Sequence, residues 1–157
     1  MLPTEDLIYS LPDKGYLLLS SHALQQLNGY AQLAPDQPES GGILIGKIRP
    51  PHIEITFATT PVTADVQSRY RFIRKDPQHL SLMRSRWEQS GFTETYLGEW
   101  HTHPENIPYP SVIDIQEWKQ KLPGKGRKEI MMIVGRESIW VGSWDGMQIH
   151  TMKPQTV

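Results

Sequence analysis

The chain has 157 residues, 38% of them hydrophobic and 21% charged, with a formal net charge of -1 and no cysteine. That length supports one domain with its own core, and the composition excludes a disordered chain. The charge balance argues against a protein devoted to nucleic acid, no apolar run approaches a membrane span, and any metal must rest on imidazoles and carboxylates.

The opening residues, Met1 to Asp6, lack a basic stretch followed by an apolar core. No secretory signal is therefore expected, and a cytoplasmic location is the simplest reading. Residues 1–15 contain two prolines and read as an irregular lead-in. Tyr16 to Leu19 reads as a short strand. Ser20 and Ser21 offer an N-cap, and Leu24, Leu27 and Ala31 recur at helical spacing, which predicts a helix from His22 to Leu33 packed into the core. Ala34-Pro35-Asp36-Gln37-Pro38 ends it as a rigid connector. Glu39 stands at the mouth of a strand expected over Gly42 to Ile48, where a Glu is most often a solvated surface residue. Gly41 and Gly42 admit either close backbone approach or a positive φ.

Arg49-Pro50-Pro51 turns the chain. Alternating Ile53, Ile55 and Phe57 predict a strand over His52 to Thr60, in a hairpin with the strand before it. Pro61 to Gln67 is polar and reads as loop. Arg69, Arg71, Arg74 and Lys75 surround a short strand, Tyr70 to Ile73. This basic patch suits an acidic partner or, preferably, a solvated strand face. Asp76-Pro77 opens a helix with Pro in its first turn. Leu80, Met83 and Trp87 fall at i, i+3 and i+7 as a core stripe, and Gly91 ends the helix.

Thr93 to Pro104 reads as the next strand. Regular alternation puts Leu97, Glu99, His101 and His103 on one face and Gly98, Trp100 and Thr102 on the other. Trp100 is assigned to the core. Two imidazoles two residues apart on one face can converge on one metal ion, and Pro104 ends the ladder. Glu105 to Pro110 is a proline-stiffened loop, either a connector or one wall of a substrate groove touched by Asn106 or Tyr109. Ser111 opens a helix running to Leu122, with Val112, Ile115, Trp118 and Leu122 on one face. Ser111-x-x-Asp114 is a capping signature. A carboxylate held there can equally complete three metal ligands and leave a fourth position for water, the arrangement of a catalytic zinc. Such a water needs a base within reach, and strand geometry alone prefers Glu99.

Pro123-Gly124 stops the helix, and Lys119, Lys121, Lys125, Arg127 and Lys128 read as a solvated basic cluster. Glu129 to Val134 and Ser138 to Trp144 are expected strands. Asp145-Gly146 is a hairpin signal, Met147 to Met152 the returning strand, and residues 153–157 a frayed tail. His22, His52, His79 and His150 have no metal-like neighbours in sequence and read as ordinary.

Glu39, His101-Thr102-His103-Pro104 and, six residues on, Ser111-x-x-Asp114 together resemble the signature of the JAMM (MPN+) metallopeptidases. The resemblance runs from Glu39 to Asp114. It implies a single MPN/JAMM-type domain over residues 1–157, of α/β (α+β) class, with a mixed β-sheet flanked by about three helices. It implies Zn2+ held by His101, His103 and Asp114, with Glu39 as the acid/base in preference to Glu99 and Ser111 steadying the oxyanion. Within that family, the short free-standing chain and its run Gly98-Glu99-Trp100-His101-Thr102-His103-Pro104 resemble the isopeptidases of bacterial type II CBASS anti-phage operons. The implied substrate is a conjugated protein, a CD-NTase or ubiquitin-like protein whose C-terminal tail is amide-linked to a lysine and lies extended along a sheet edge. Neither nucleic acid nor membrane is implied as a partner. The other readings are a JAMM peptidase for another bacterial ubiquitin-like or sulfur-carrier protein, a non-catalytic MPN-type interaction module, and a RadC-like protein associated with DNA. The five intact positions argue against the module, and the charge balance against the RadC-like reading.

Overall fold

A computed structural model describes residues 2–122 and 129–155. In chain order they form β1 (Leu7–Ser10), β2 (Tyr16–Leu19), α1 (Ser21–Asn28), β3 (Gly41–Arg49), β4 (His52–Ala58), β5 (Val66–Ser68), β6 (Arg71–Ile73), α2 (Gln78–Gln89), β7 (Glu94–Thr102), α3 (Val112–Lys121), β8 (Glu129–Val134), β9 (Ile139–Trp144) and β10 (Ile149–Thr151). Eight strands pair into one mixed sheet in the order β1-β2-β4-β3-β7-β8-β9-β10, while β5 and β6 form a separate hairpin. The β2–β4 and β7–β8 pairs are parallel; the other pairs of the sheet are antiparallel. This is the expected α+β class, a mixed sheet with three helices among the described residues. No helix among them is long and apolar enough to cross a membrane.

The sheet is covered on both faces, and β8 shows why. All six of its residues are buried. Ile130, Met132 and Val134 join a core with Leu44, Trp100 and the α1 residues Ala23, Leu24 and Leu27. Met131 and Ile133 join a second core with Trp140, Trp144 and the α3 residue Trp118. A strand buried on both sides reads as a continuous apolar run, which is the pattern of Glu129-Ile130-Met131-Met132-Ile133-Val134. His101 pairs with Ile133 in β8 and so shares the face that α3 covers, whereas Thr102 pairs with Val134 and shares the α1 face.

Several elements depart from expectation for identifiable reasons. The lead-in contains a strand: β1 pairs with β2 along Leu7 to Ser10, a run too short to carry a periodic signal. At the other end, Pro154 bridges Tyr9 and the Gln155 N–H donates to Ile8, so the expected fraying does not reach these residues. The first helix stops at Asn28 rather than Leu33, because Gly29 sits at its C-cap and glycine in a helix interior costs about 1 kcal/mol. Val66 and Gln67, expected as loop, pair with Ile73 and Phe72 of β6. The proposed core stripe of α2 is not buried: Leu80 and Trp87 are 47% and 42% exposed, and only His79 is buried. The stop at Pro123-Gly124 and the cluster members Lys125, Arg127 and Lys128 lie outside the described residues.

His79 is held in a covered polar network. Its Nε2 lies 2.6 Å from Asp65 Oδ2 and its Nδ1 2.6 Å from the Thr59 hydroxyl. Asp65 also accepts the N–H groups of Val62, Lys75 and Asp76, which closes the base of the β5–β6 hairpin. Burial alone would raise the Asp65 carboxyl, but the Asp76 N–H, His79 and the other donors outweigh it and hold it below its usual value. A depressed carboxyl stabilises the fold above its unfolded pKa of about 4, and that contribution fades as pH falls through the folded value. Urea denaturation should therefore show stability falling below about pH 4. Asp65→Asn should flatten that fall and cost ~1–3 kcal/mol at neutral pH.

Candidate metal centre and its groove

His101 and His103 reach one point because β7 holds its alternation up to its end. The His103 N–H still donates to Val134 at 3.0 Å, so the ladder against β8 carries both rings outward on the α3 face. α3 brings the carboxylate. Ser111 is extended at the N-cap, with φ −78 and ψ 166, and its hydroxyl accepts the Asp114 N–H at 3.1 Å. Asp114 Oδ2 accepts the Ser111 N–H at 2.9 Å, which completes a capping box. One turn further on, Trp118 is buried and stacks on Trp140, ring centroids 5.9 Å apart at 10°. This anchor fixes the face of α3 from which Asp114 points inward.

The three side chains form a tight triangle. His101 Nε2 lies 3.1 Å from His103 Nε2 and 3.2 Å from Asp114 Oδ1; His103 Nε2 lies 3.1 Å from Asp114 Oδ2. Among the described residues, this is the group of His, Asp and Glu whose ligand atoms all fall within 4.8 Å of one another. Bonds of about 2.0–2.1 Å to a tetrahedral ion place ligand atoms roughly 3.3 Å apart, so the triangle fits one zinc-sized ion. The protonation pattern agrees. His103 Nδ1 lies 2.7 Å from Glu105 Oε1 and so carries the proton on that side, which leaves the Nε2 lone pair facing another imidazole nitrogen and a carboxylate. Such lone pairs repel unless a cation or extra protons stand between them. Without a cation, burial opposes charge on His103, while the bonds to Asp114 and Glu105 raise its pKa. Burial likewise acts to raise Asp114, but the bonds from His101 and His103 hold it far below the usual carboxylate range.

Glu39 comes to this cluster through the register of β3 on β7. Gly41 pairs with His101, and the next residues, Ser40 and Thr102, remain hydrogen-bonded. Glu39, two residues before Gly41, then lines the same cavity as His101 and His103. The two glycines serve close approach: a Cβ on Gly41 would sit 2.4 Å from the Phe72 ring, and one on Gly42 2.2 Å from the Thr59 carbonyl oxygen. Glu39 is 5% exposed, and burial pushes its carboxyl up to about 7 against the pull of His101 and His103.

A cavity of about 970 Å³ contains Glu39, His101, His103, Ser111 and Asp114, and runs on past Glu99 and Tyr96 to Leu80 and Met83. Tyr96 rather than Leu97 lines it, because the β3–β7 register slips between Leu44 and Ile45 and turns Leu97 into the core. The regular face expected for Leu97 is therefore corrected by a bulge. Glu99, the alternative base, is engaged by Arg74 at 2.8 Å. Arg71 pairs with Glu117 of α3 at 2.7 Å. The basic patch is thus not a purely solvated face; two of its arginines tie the β5–β6 segment to the groove. The 105–110 loop is fixed to the β8–β9 turn, where Arg136 donates to Glu105 and Glu137 and Ser138 donate to Asn106. Its Tyr109 packs edge-on to Trp140. The Glu105–His103 contact belongs to no motif in the sequence; its only trace there is a carboxylate two residues on.

A curled mixed sheet with an imidazole pair, a capped helix aspartate and a buried glutamate in one cavity defines a JAB-type domain. The family model for prokaryotic homologs of the JAB domain matches residues 21–147, and the chain belongs to that family. It is 38% identical over 142 residues to a CD-NTase/cGAS isopeptidase of Escherichia coli (strain TW11681), covering 90% of each chain. A protein of the same name from Vibrio cholerae serotype O1 is 33% identical over 153 residues, 98% of this chain and 97% of that one. One from Pseudomonas aeruginosa is 36% identical over 128 residues, 80% of each. The solution structure of protein DSY2949 from Desulfitobacterium hafniense shares the fold, with a TM-score of 0.61 at 18% identity over 85% of this chain and 87% of that one.

The cap is testable apart from any chemistry. Ser111→Ala should lower the unfolding free energy by about 1 kcal/mol and Ser111→Gly by only a few tenths, read from urea melts.

Proposed function

We propose that this chain is a zinc-dependent isopeptidase that hydrolyses the amide between the C-terminus of a conjugated protein and a target lysine. The conjugated protein is a CD-NTase, as the names of its relatives say of them. The observation that carries the reading is the His101–His103–Asp114 triangle beside buried Glu39, in a chain at least 33% identical to three CD-NTase/cGAS isopeptidases over most of its length.

The donor set of two imidazoles and one carboxylate suits zinc with a position left for solvent, and His101, His103 and Asp114 would hold it. A bound zinc supplies a Lewis acid and brings the pKa of water down to about 7. The chain's own groups do the rest. Glu39 takes a proton from water as the water oxygen attacks the amide carbon. The Ser111 hydroxyl accepts from the Asp114 N–H, so its own proton can point at the developing oxyanion. When the C–N bond breaks, Glu39 returns the proton to the lysine amine, leaving a free C-terminal carboxylate. Glu105 keeps the His103 lone pair turned inward. The cavity continues from the cluster past Glu99 to Leu80 and Met83, and an extended tail would lie along that stretch.

The test uses a purified CD-NTase joined through its C-terminus to a lysine amine. Wild-type protein should release it, and Glu39→Gln should leave it intact while retaining zinc. Ser111→Ala should lose roughly 10²–10³ in kcat with zinc content unchanged. His103→Ala should lose the zinc itself, and Glu105→Gln should weaken zinc binding about 10–100-fold by titration against a chelator. Cleavage that survives chelation, or survives Glu39→Gln, would sink the reading.

A further inference from the structure

Thr102 sits between the two imidazoles but is fully buried on the opposite face of the sheet. It faces Ser40 just beyond Gly41–His101, the last pair of the β3–β7 ladder. In an antiparallel hydrogen-bonded pair, the two residues exchange both backbone bonds. Here the Thr102 N–H donates to the Ser40 carbonyl at 2.9 Å, but the return bond from the Ser40 N–H ends on the Thr102 hydroxyl, also at 2.9 Å. The hydroxyl replaces a rung of the ladder at the point where β3 leaves it. Its own proton goes to Gln32 Oε1 at 2.7 Å, and this aims its lone pair at Ser40.

Gln32 is fully buried, and its amide N–H groups serve the other side of the same turn. They donate to the carbonyls of Gln37 at 3.0 Å and Arg69 at 3.1 Å. Beside Arg69, the Ser68 carbonyl takes the Glu39 N–H at 2.7 Å, and Gln67 donates to the Glu39 carbonyl at 3.1 Å. One side chain therefore anchors both flanks of Glu39: Ser40 through Thr102, and the β5 end through Arg69. A buried amide satisfied on three sides holds this geometry more stiffly than apolar packing, because any shift strands a polar group.

We propose that Gln32 and Thr102 are positioning residues for Glu39, setting where its carboxylate stands relative to His101 and His103. Neither touches substrate. The inference rests on the reading of Glu39 as the acid/base. A catalytic group displaced by about 1 Å loses roughly 10²-fold in rate, and that sets the expected effect.

Three variants test it. Thr102→Val keeps the shape and removes the hydroxyl, Thr102→Ser restores it, and Gln32→Met removes the amide. Thr102→Val and Gln32→Met should lower kcat for the conjugate about 10²-fold, with KM and zinc content near wild type and the proteins still folded at the assay temperature, although stranded polar groups lower their melting temperatures. Thr102→Ser should recover most of that rate. Amide hydrogen exchange at Ser40 should quicken in Thr102→Val and slow again in Thr102→Ser. Wild-type kcat in both Thr102→Val and Gln32→Met overturns the proposal, as does a serine variant no better than the valine one. A loss that tracks zinc release or bulk unfolding overturns it too. If Thr102→Val does not fold, Gln32→Met decides by the same readouts. A wild type that leaves the conjugate intact, or an active Glu39→Gln, instead sinks the reading of Glu39 itself. Exchange at Ser40 still reports whether the hydroxyl holds the turn.

Discussion

The register of β3 against β7 governs the rest of the site. With Gly41 opposite His101, the chain entering β3 runs alongside the end of the histidine strand, and Glu39 lines the same cavity as His101 and His103. A slip of one residue would turn every side chain of one strand to the opposite face. Two glycines let the β5–β6 hairpin and Thr59 press onto β3 at this point. The pairing thus delivers a carboxylate from one third of the chain to imidazoles contributed by another.

The second constraint is the start of α3. Asp114 serves both the capping box and the cluster, so the turn that starts the helix is also the point from which the carboxylate reaches the histidines. Trp118, stacked on Trp140, fixes the rotation of the helix about its own axis. The cluster is thereby built on regular secondary structure from two directions, a strand end and a helix start. The first is tied into the β8 ladder and the second is closed by its capping box, and such sites are held more sharply than sites on loops.

The groove beyond the cluster is organised by charge. Arg74 pairs with Glu99, and Arg71 with Glu117, and each pair joins the β5–β6 segment to an element that carries a member of the cluster. These partly exposed pairs add little to stability. Their consequence is spatial: they hold one wall of the groove above its floor, and they engage the glutamate that strand geometry alone would have chosen as the base.

Local chemistry made much of this legible from residues alone. The His-x-His alternation, Pro104 as a stop, the Ser111–Asp114 cap, the Asp145–Gly146 turn and the strand at Glu129 to Val134 are all short-range signals, and the structure carries each of them. Short or irregular elements were not legible. β1 is four residues long, the bulge at Leu97 leaves no mark in composition, and the apolar stripe of α2 looks like core yet stays largely exposed, with Leu80 and Met83 on the groove wall. What the amino-acid order determined was which side chains share a face and where each element ends, because sterics and hydrogen bonding between near neighbours decide those. What only the tertiary structure decided was that Glu39 rather than Glu99 is buried beside the imidazoles, that Glu105 grips His103, and that Gln32 reaches across the chain to Thr102 and Arg69. Those contacts depend on strand register and on packing between residues far apart in sequence, and no local pattern encodes either.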